Sequence, residues 1–571
     1  MLLSNLNLLA TAPDGVARLR ELILTLAVRG KLVPQDPSDE PASELLKKIR
    51  AEKDRLILDG KIKRDKPLAE IAGEEKPFEL PVAWRLSRLD DIAIAIVDCP
   101  HSTPTFVHEG LLCIDTNSFK SGRLVPHKLR YVSESTFAER IVRLQPQPGD
   151  LVFAREGSVG ESVIIPHGTI ACLGQRVMLF RFSMHVSNEF IRMAITSKWF
   201  LDGLLDLHKG IGAKHVNVGD MRMAVIPLPP LAEQSRIVTR VEELMRLCDA
   251  LEAKARLEAT QHAQLVATLL GALTTPNMTK ATPEALADPM QESWHRVATH
   301  FDLLLDRPEA VDALEQTILQ LAVRGLLVPQ DPQDEPASEL LKKIRREKDR
   351  LIAEGKIKRD KPLPPIAEDE KPFELPQGWE WVPIDTLASV GSGTTPSREN
   401  PAFFVGGTTP WVTSGETGQA FIDATEQHVT DAALAQTSLT VYPVGTLIVA
   451  MYGQGKTRGQ VAELRIPAAT NQACAAIALV EGSAHHRAYV KLVFEKSYDE
   501  IRELSAGGAQ PNLNVGKVKS TLIPLPPLAE QSRIVARVAS LRALCADLRQ
   551  RLTIARTQQA LLAEVLVENI V

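Results

Sequence analysis

A chain of 571 residues with 44% hydrophobic and 24% charged side chains has a soluble globular composition, and it is too long for one hydrophobic core. Its six cysteines are scattered with no C-x-x-C pair or zinc-spaced cluster, no apolar run reaches the roughly 18 residues of a membrane span, and MLLSNLNLLATAPDG lacks a basic leader segment. A cytoplasmic protein with reduced thiols is therefore expected, and its formal charge of −5 excludes a uniformly basic nucleic-acid binder.

In chain order, residues 1–81 read as a helical region. Asp14–Gly30 has apolar positions at helical spacing and stops at glycine. A second helix follows, with Asp39 as expected N-cap, Pro41 in its first turn, Leu45, Ile49 and Leu56 on one face, and Gly60 as the stop. The basic run KIKRDK, Lys61–Lys66, comes next. Residues 82–222 hold short apolar runs broken by Gly, Pro, Ser and Thr, the pattern of a compact mixed α/β domain. Residues 223–273 form a long helix with Ile237, Val241, Leu244, Cys248 and Leu251 along one seam. The small-residue stretch 274–309 reads as a linker.

The chain then repeats itself. Leu26–Pro81 returns as Leu321–Pro376 with 47 of 56 positions identical and no gap, and IPLPPLAEQSRIVTRV from Ile226 returns as IPLPPLAEQSRIVARV from Ile523. Residues 310–376 are thus a second helical region, including a second KIKRDK at Lys356–Lys361, and 377–519 a second mixed domain. Residues 520–571 form a second long helix, with Ile534, Val538, Leu541, Cys545, Leu548 and Leu552 on its seam. The two interiors are nearly equal in length yet mostly unlike. Duplicated flanks around unlike interiors imply one supporting job done twice and two different jobs of one kind. The fold class is therefore α+β with a pseudo-two-fold repeat. Its two long helices, rods of roughly 50–60 Å, are expected to pair with each other as an antiparallel coiled coil.

Candidate DNA contacts lie in polar loops between the apolar runs. In the first interior they are His101, Ser102 and Thr103 of DCPHSTP, Arg155 of AREG, Gln175 and Arg176 of LGQR, and Lys214 and His215 of GIGAKHVNV. In the second they are Thr394, Thr395, Ser397 and Arg398 of GTTPSRENP, Thr413 and Ser414 of WVTSGE, Tyr452, Gln454, Lys456 and Arg458 of MYGQGKTRG, Asn471 and Gln472 of TNQAC, and Gln510 and Asn512 of AQPNLN. Gln matches the adenine edge, Arg and Lys match guanine, and glycine amides approach the backbone closely. Asp98–Arg222 carries 14 Lys/Arg against 12 Asp/Glu, and Leu387–Ser520 carries 10 against 11. Neither domain can bind by bulk charge. AMYGQGKT at Ala450–Thr457 fits a loose P-loop, but the following RGQVAELRIP alternates like a strand and reaches Pro467, where a P-loop needs a helix.

These residues resemble the specificity subunit of type I restriction–modification systems, in its longer variant with a helical extension before each recognition domain. The resemblance rests on the paired IPLPPLAEQSRIV blocks, DCPHSTP, GTTPSRENPAFFVGGTTPWVTSGE, GQGKTRG, NQAC and QPNLNVGKVKSTLIPLPPLAEQ, and it spans nearly the whole chain. It implies a non-catalytic DNA-recognition subunit in which each variable domain reads half of a bipartite asymmetric site. The helices would seat two adenine methyltransferase subunits, and translocase-nuclease subunits would join for cleavage. Neither metal nor cofactor is expected on this chain; S-adenosylmethionine, ATP and Mg would belong to the partners. GIGAKHVNV departs from the family's usual ending at Lys214 and His215, where the second domain has Pro511 and Asn512. No N/D-P-P-Y/F methyltransferase motif occurs. A modification-only system and, on the P-loop, a nucleotide-binding protein are the alternative readings.

Overall fold

The computed structural model describes residues 8–568 except 65–67, 73–75, 77, 207–214, 275–282, 360–362, 454–456 and 507–512. The chain forms two compact units, Met1–Glu258 with Ala555–Val571, and Ala259–Ile554. The long helices Leu231–Thr274 and Leu528–Glu568 each begin in one unit and end in the other.

In the first unit, helices Gly15–Val28 and Ala42–Leu58 come before the sheets. Gly30, at φ 69°, ends the first of these turns; a Cβ there would meet Pro81 and Trp84, so only glycine fits. Ala42, Leu45 and Ile49 are buried, as their spacing requires. Asp39 does not cap this helix. The N-cap is Pro41, without a side-chain bond, and the Asp39 carboxylate instead holds the Arg236 guanidinium of the long helix.

Two sheets follow. One has the order Ala93–Asp98, Val177–Phe182, Leu151–Ala154, Ser162–Ile164, all antiparallel. The other has the order Ala171–Leu173, Leu111–Ile114, Arg130–Val132, Phe106–Val107, with Cys172 opposite Cys113 in its parallel pair. A ribbon of Arg85–Arg88 against Val225–Leu228 closes the domain just before the long helix. The second unit repeats this plan. Ala388–Ser392, Cys474–Leu479, Leu447–Ala450, Val461–Leu464 and Phe421–Ile422 make one sheet. His428–Val429, Thr409–Val412 and Ala469–Thr470 make the other, and Glu380–Pro383 pairs Leu522–Leu525. One fold is used twice.

The long-helix seams are buried inside these units. Ile237, Val241 and Cys248, with Leu244 and Leu251 against them, join the core that also holds Val16, Leu19 and Ile23. Ile534, Val538 and Cys545, with Leu541, Leu548 and Leu552, join the core that holds Val311, Leu314 and Ile318. Each seam also has a helical partner from the extension within its own unit. Helix Gly15–Val28 lies alongside the first, where Arg20 reaches Met245, Asp249 and Glu252. Helix Pro308–Val323 lies alongside the second, where Arg549 reaches Asp312 and Glu315. The extension helices carry apolar stripes of their own, and each stripe needs a neighbour.

One further reading changes. Residues 274–309 are more than a linker: helix Pro283–Thr299 and the turn Phe301–Leu304 occupy most of it, and Val297, Leu304 and Leu305 are buried with Val266, Leu270 and Leu273. The strand reading after AMYGQGKT holds, since Val461–Leu464 runs back antiparallel to Leu447–Ala450, so among the described residues a strand follows where a P-loop needs a helix. Lys456 itself lies outside the described residues. All six cysteines are free and buried. Burial pushes the Cys248 and Cys545 thiols up, which suits packing rather than nucleophilic chemistry.

Candidate nucleic-acid interface

The duplicated LAEQSR block builds a polar node that fixes each recognition domain on its long helix. Glu233 accepts hydrogen bonds from Trp84 Nε1 at 2.9 Å and Gln35 Nε2 at 2.6 Å. Gln234 accepts from the Ser187 amide at 2.8 Å and donates to the Pro229 carbonyl at 2.9 Å. The second copy is equivalent: Glu530 accepts from Trp379 and Gln330, and Gln531 accepts from His486 Nδ1 and donates to Pro526. Burial pushes both glutamates up, against the pull of these donors. Extension, domain and long helix meet in one buried cluster, which is why the pieces on both sides of each domain repeat together.

Beyond this support, each domain presents four loops that leave one end of its strands. In the first domain they follow Asp98, Ile114, Ala154 and Leu173. In the second they follow Ser392, Val412, Ala450 and Thr470. Most of the sequence-predicted contacts fall on these loops, so residues far apart in the chain converge on one face.

In the first domain the cluster is ionic. The buried Arg155 guanidinium (5% exposed) binds Asp98 and His215. His215 Nδ1 meets Glu156 Oε1 at 2.6 Å and Nε2 meets Asn217 Oδ1 at 2.9 Å. Arg176, at φ 61°, extends an exposed side chain whose Nε is 3.3 Å from Glu156. Gln175 donates to the His101 carbonyl at 3.0 Å, and His101 lies 3.4 Å from Asp98. His101, Ser102, Thr103 and Arg176 are exposed and Gln175 and His215 half-buried. Arg155 therefore braces these loops from inside the domain. Asn217 is a cap: with Asp220 it closes a capping box on Val218–Met223, as Asn514 caps Val515–Lys519. Lys214 lies outside the described residues.

Two residues on this face escaped the sequence reading. Arg140, 5% exposed, donates to the carbonyls of Leu173, Gly174, Ser102 and Pro100, tying two loops together. Arg130 stacks over Phe106 at 4.7 Å and lies 3.5 Å from Asp115, lining a small cleft with Thr103, Gln175 and Arg176. Nothing in the sequence marks either, since neither sits in a glycine-rich or polar motif.

In the second domain the cluster is mostly neutral. Thr395 Oγ1 donates to Gln472 Oε1, and the Thr394 hydroxyl is 2.8 Å from Ser438. The buried Trp411 donates from Nε1 to the Thr394 carbonyl at 3.2 Å, and Arg398 stacks on its ring at 5.9 Å. Ser397, Arg398, Tyr452 and Gln472 are exposed. Arg458 is half-buried, with Nε lacking a hydrogen-bond partner among the described residues. Thr413 and Glu416 cap the turn Ser414–Gly418, Ser414 accepts from Thr417, and Asn471 caps its own turn at the Ala473 amide. Thr413, Ser414 and Asn471 are turn-builders. Gln454, Lys456, Gln510 and Asn512 lie outside the described residues.

Residues 131–261 and 376–555 match the family described as the type I restriction modification DNA specificity domain. The chain is 34% identical to the type I restriction enzyme EcoAI specificity subunit of Escherichia coli, over 97% of this chain and 93% of that one. It is 35% identical to the EcoEI specificity subunit of the same species, with the same two coverages. The crystal structure of the HsdS subunit from Thermoanaerobacter tengcongensis aligns over 86% of this chain and 98% of that one, at 16% identity and a TM-score of 0.37.

Proposed function

This chain belongs to the type I restriction–modification DNA specificity family, and on that premise we propose that its two domains each read one half of a bipartite, asymmetric DNA site. The observation that carries this reading is the four-loop face built twice on one fold, ionic in the first domain and hydroxyl- and amide-rich in the second. A shared fold presents its loops in the same manner. Different side chains on those loops select different base edges.

Near-neutral domains draw little affinity from phosphate alone, so partner subunits supply much of the backbone contact. The long helices and extensions seat two methyltransferase subunits, which bring S-adenosylmethionine, and translocase-nuclease subunits bring ATP and Mg. The chain itself makes and breaks no bonds. Discrimination of roughly 1–3 kcal/mol per base pair, summed over a few pairs in each domain, gives the selectivity such a system needs.

Mapping methylated adenines across the genome of cells that carry the complete system tests this. The expected motif has two unlike short halves separated by an unread spacer. A single continuous or palindromic motif would overturn it.

A further inference from the structure

The first recognition domain holds a cation that its own fold leaves unused. Arg192, on helix Asn188–Thr196, is half-buried and borders a cleft of 290 Å³ lined by Ser121, Gly122, Gly160, Glu161, Ser162 and Thr196, among others. Its guanidinium makes no hydrogen bond or ion pair with any described residue. The Ser162 hydroxyl, buried in the same lining, has none either. The carboxylate in the cleft, Glu161, is engaged elsewhere, accepting from the Ser121 amide at 2.7 Å. Burial lowers the Arg192 pKa, while Glu189, Glu242 and Glu161 raise it at longer range. A guanidinium in this setting stays charged.

The second domain shows what the same position looks like when satisfied. Phe190 and Tyr489 both meet the node tryptophan edge-on, Phe190 on Trp84 and Tyr489 on Trp379, so Arg192 and Lys491 occupy matching helix positions two residues later. Lys491 donates to the Ala420 carbonyl and lies 4.3 Å from the centre of the Phe421 ring. The first domain has Gly122 bridging Val163 where the second has Ala420 beside its edge strand, and among the described residues no aromatic ring covers Arg192. One cation is consumed by its domain. The other opens on a cleft.

We propose that this cleft is a seat for a single phosphate group, with Arg192 as its charged donor. Loop residues Val159–Glu161 line it, and the same loop carries Arg155 and Glu156 of the candidate face. A backbone phosphate of DNA lying across that face is the source this placement favours; free inorganic phosphate shares the chemistry. A guanidinium is suited to both, because its planar fork matches phosphate oxygens. The DNA source rests on the proposed DNA-reading role of this face.

The test uses the full chain in complex with its methyltransferase partner. DNA affinity is measured against salt for the wild type and for Arg192→Met, which keeps bulk and removes charge. If DNA fills the seat, the variant binds several-fold more weakly and the slope of log K against log salt falls by about one, with both half-site preferences unchanged. If free phosphate fills it, millimolar inorganic phosphate raises the melting temperature of the wild type but not of Arg192→Met, and the slope does not move. A folded Arg192→Met complex with unaltered slope and unaltered phosphate response overturns the seat. Lys491→Met is the control: it should lower the melting temperature and leave the salt slope alone. Failure of the DNA-reading role itself would look different, as substitutions at Arg176 would then leave base preference untouched.

Discussion

The two recognition domains share strand order, node and capping asparagines, yet they solve the problem of their loop faces in opposite ways. The first ties its loops with buried arginines, Arg140 to four carbonyls and Arg155 to Asp98 and His215. The second uses hydroxyls, amides and one tryptophan, through Thr394, Thr395, Gln472 and Trp411. What the pair teaches is that the scaffold tolerates either chemistry because its stability comes from elsewhere. The buried strands and the Glu–Trp–Gln node are common to both; the loops are free to differ.

The strongest way to break that separation is exchange. Replacing residues 82–222 with another recognition domain should change one half of the methylated motif completely and leave the other intact, read by methylome sequencing. A change in both halves would show that the domains are not independent. Next in size is the support itself. Val538→Asp puts a charge at a position 1% exposed in the second core, and should cost about 3 kcal/mol or more in stability. Thermal unfolding should show that loss, with assembly failing before base preference changes.

Smaller effects sharpen the contrast between the faces. Arg140→Met leaves four carbonyls without their donor and should cost about 1–3 kcal/mol, relaxing the first half-site only. Arg458→Ala should weaken or relax the second half-site alone, by about 1–3 kcal/mol if it reads a base edge; competition binding with half-site variants measures both. The smallest concerns pH. The folded-state pKa of Glu233 is raised by burial, so the folded protein holds that proton more tightly than the unfolded chain. Its contribution to stability is therefore greatest below the ordinary value of 4.5 and declines as pH rises through the folded-state value. Glu233→Gln keeps an acceptor for Trp84 and should flatten that part of the stability–pH curve, as a series of melting curves would reveal.

Much of this was readable from residues alone. A gap-free repeat around unlike interiors fixes the count of supports and readers, since exposed and buried positions alike must match where the same contacts are made twice. Heptad spacing located both seams, and the glycines at 30 and 60 located helix ends because a left-handed turn there admits little else. The polar loops were found because turn residues cannot sit inside strands.

The tertiary structure decided which loop residues face outward and which are spent internally. Arg155 and Arg176 look equivalent as sequence, but one is buried against Asp98 and the other is exposed. Arg140, Arg130 and Arg192 carried no local mark at all. Their roles arise from carbonyls, rings and clefts brought from distant parts of the chain, and such long-range geometry leaves no periodicity for a sequence to display. The repeated flanks announce themselves because each contact recurs; what a single buried arginine touches is set only when the whole domain closes around it.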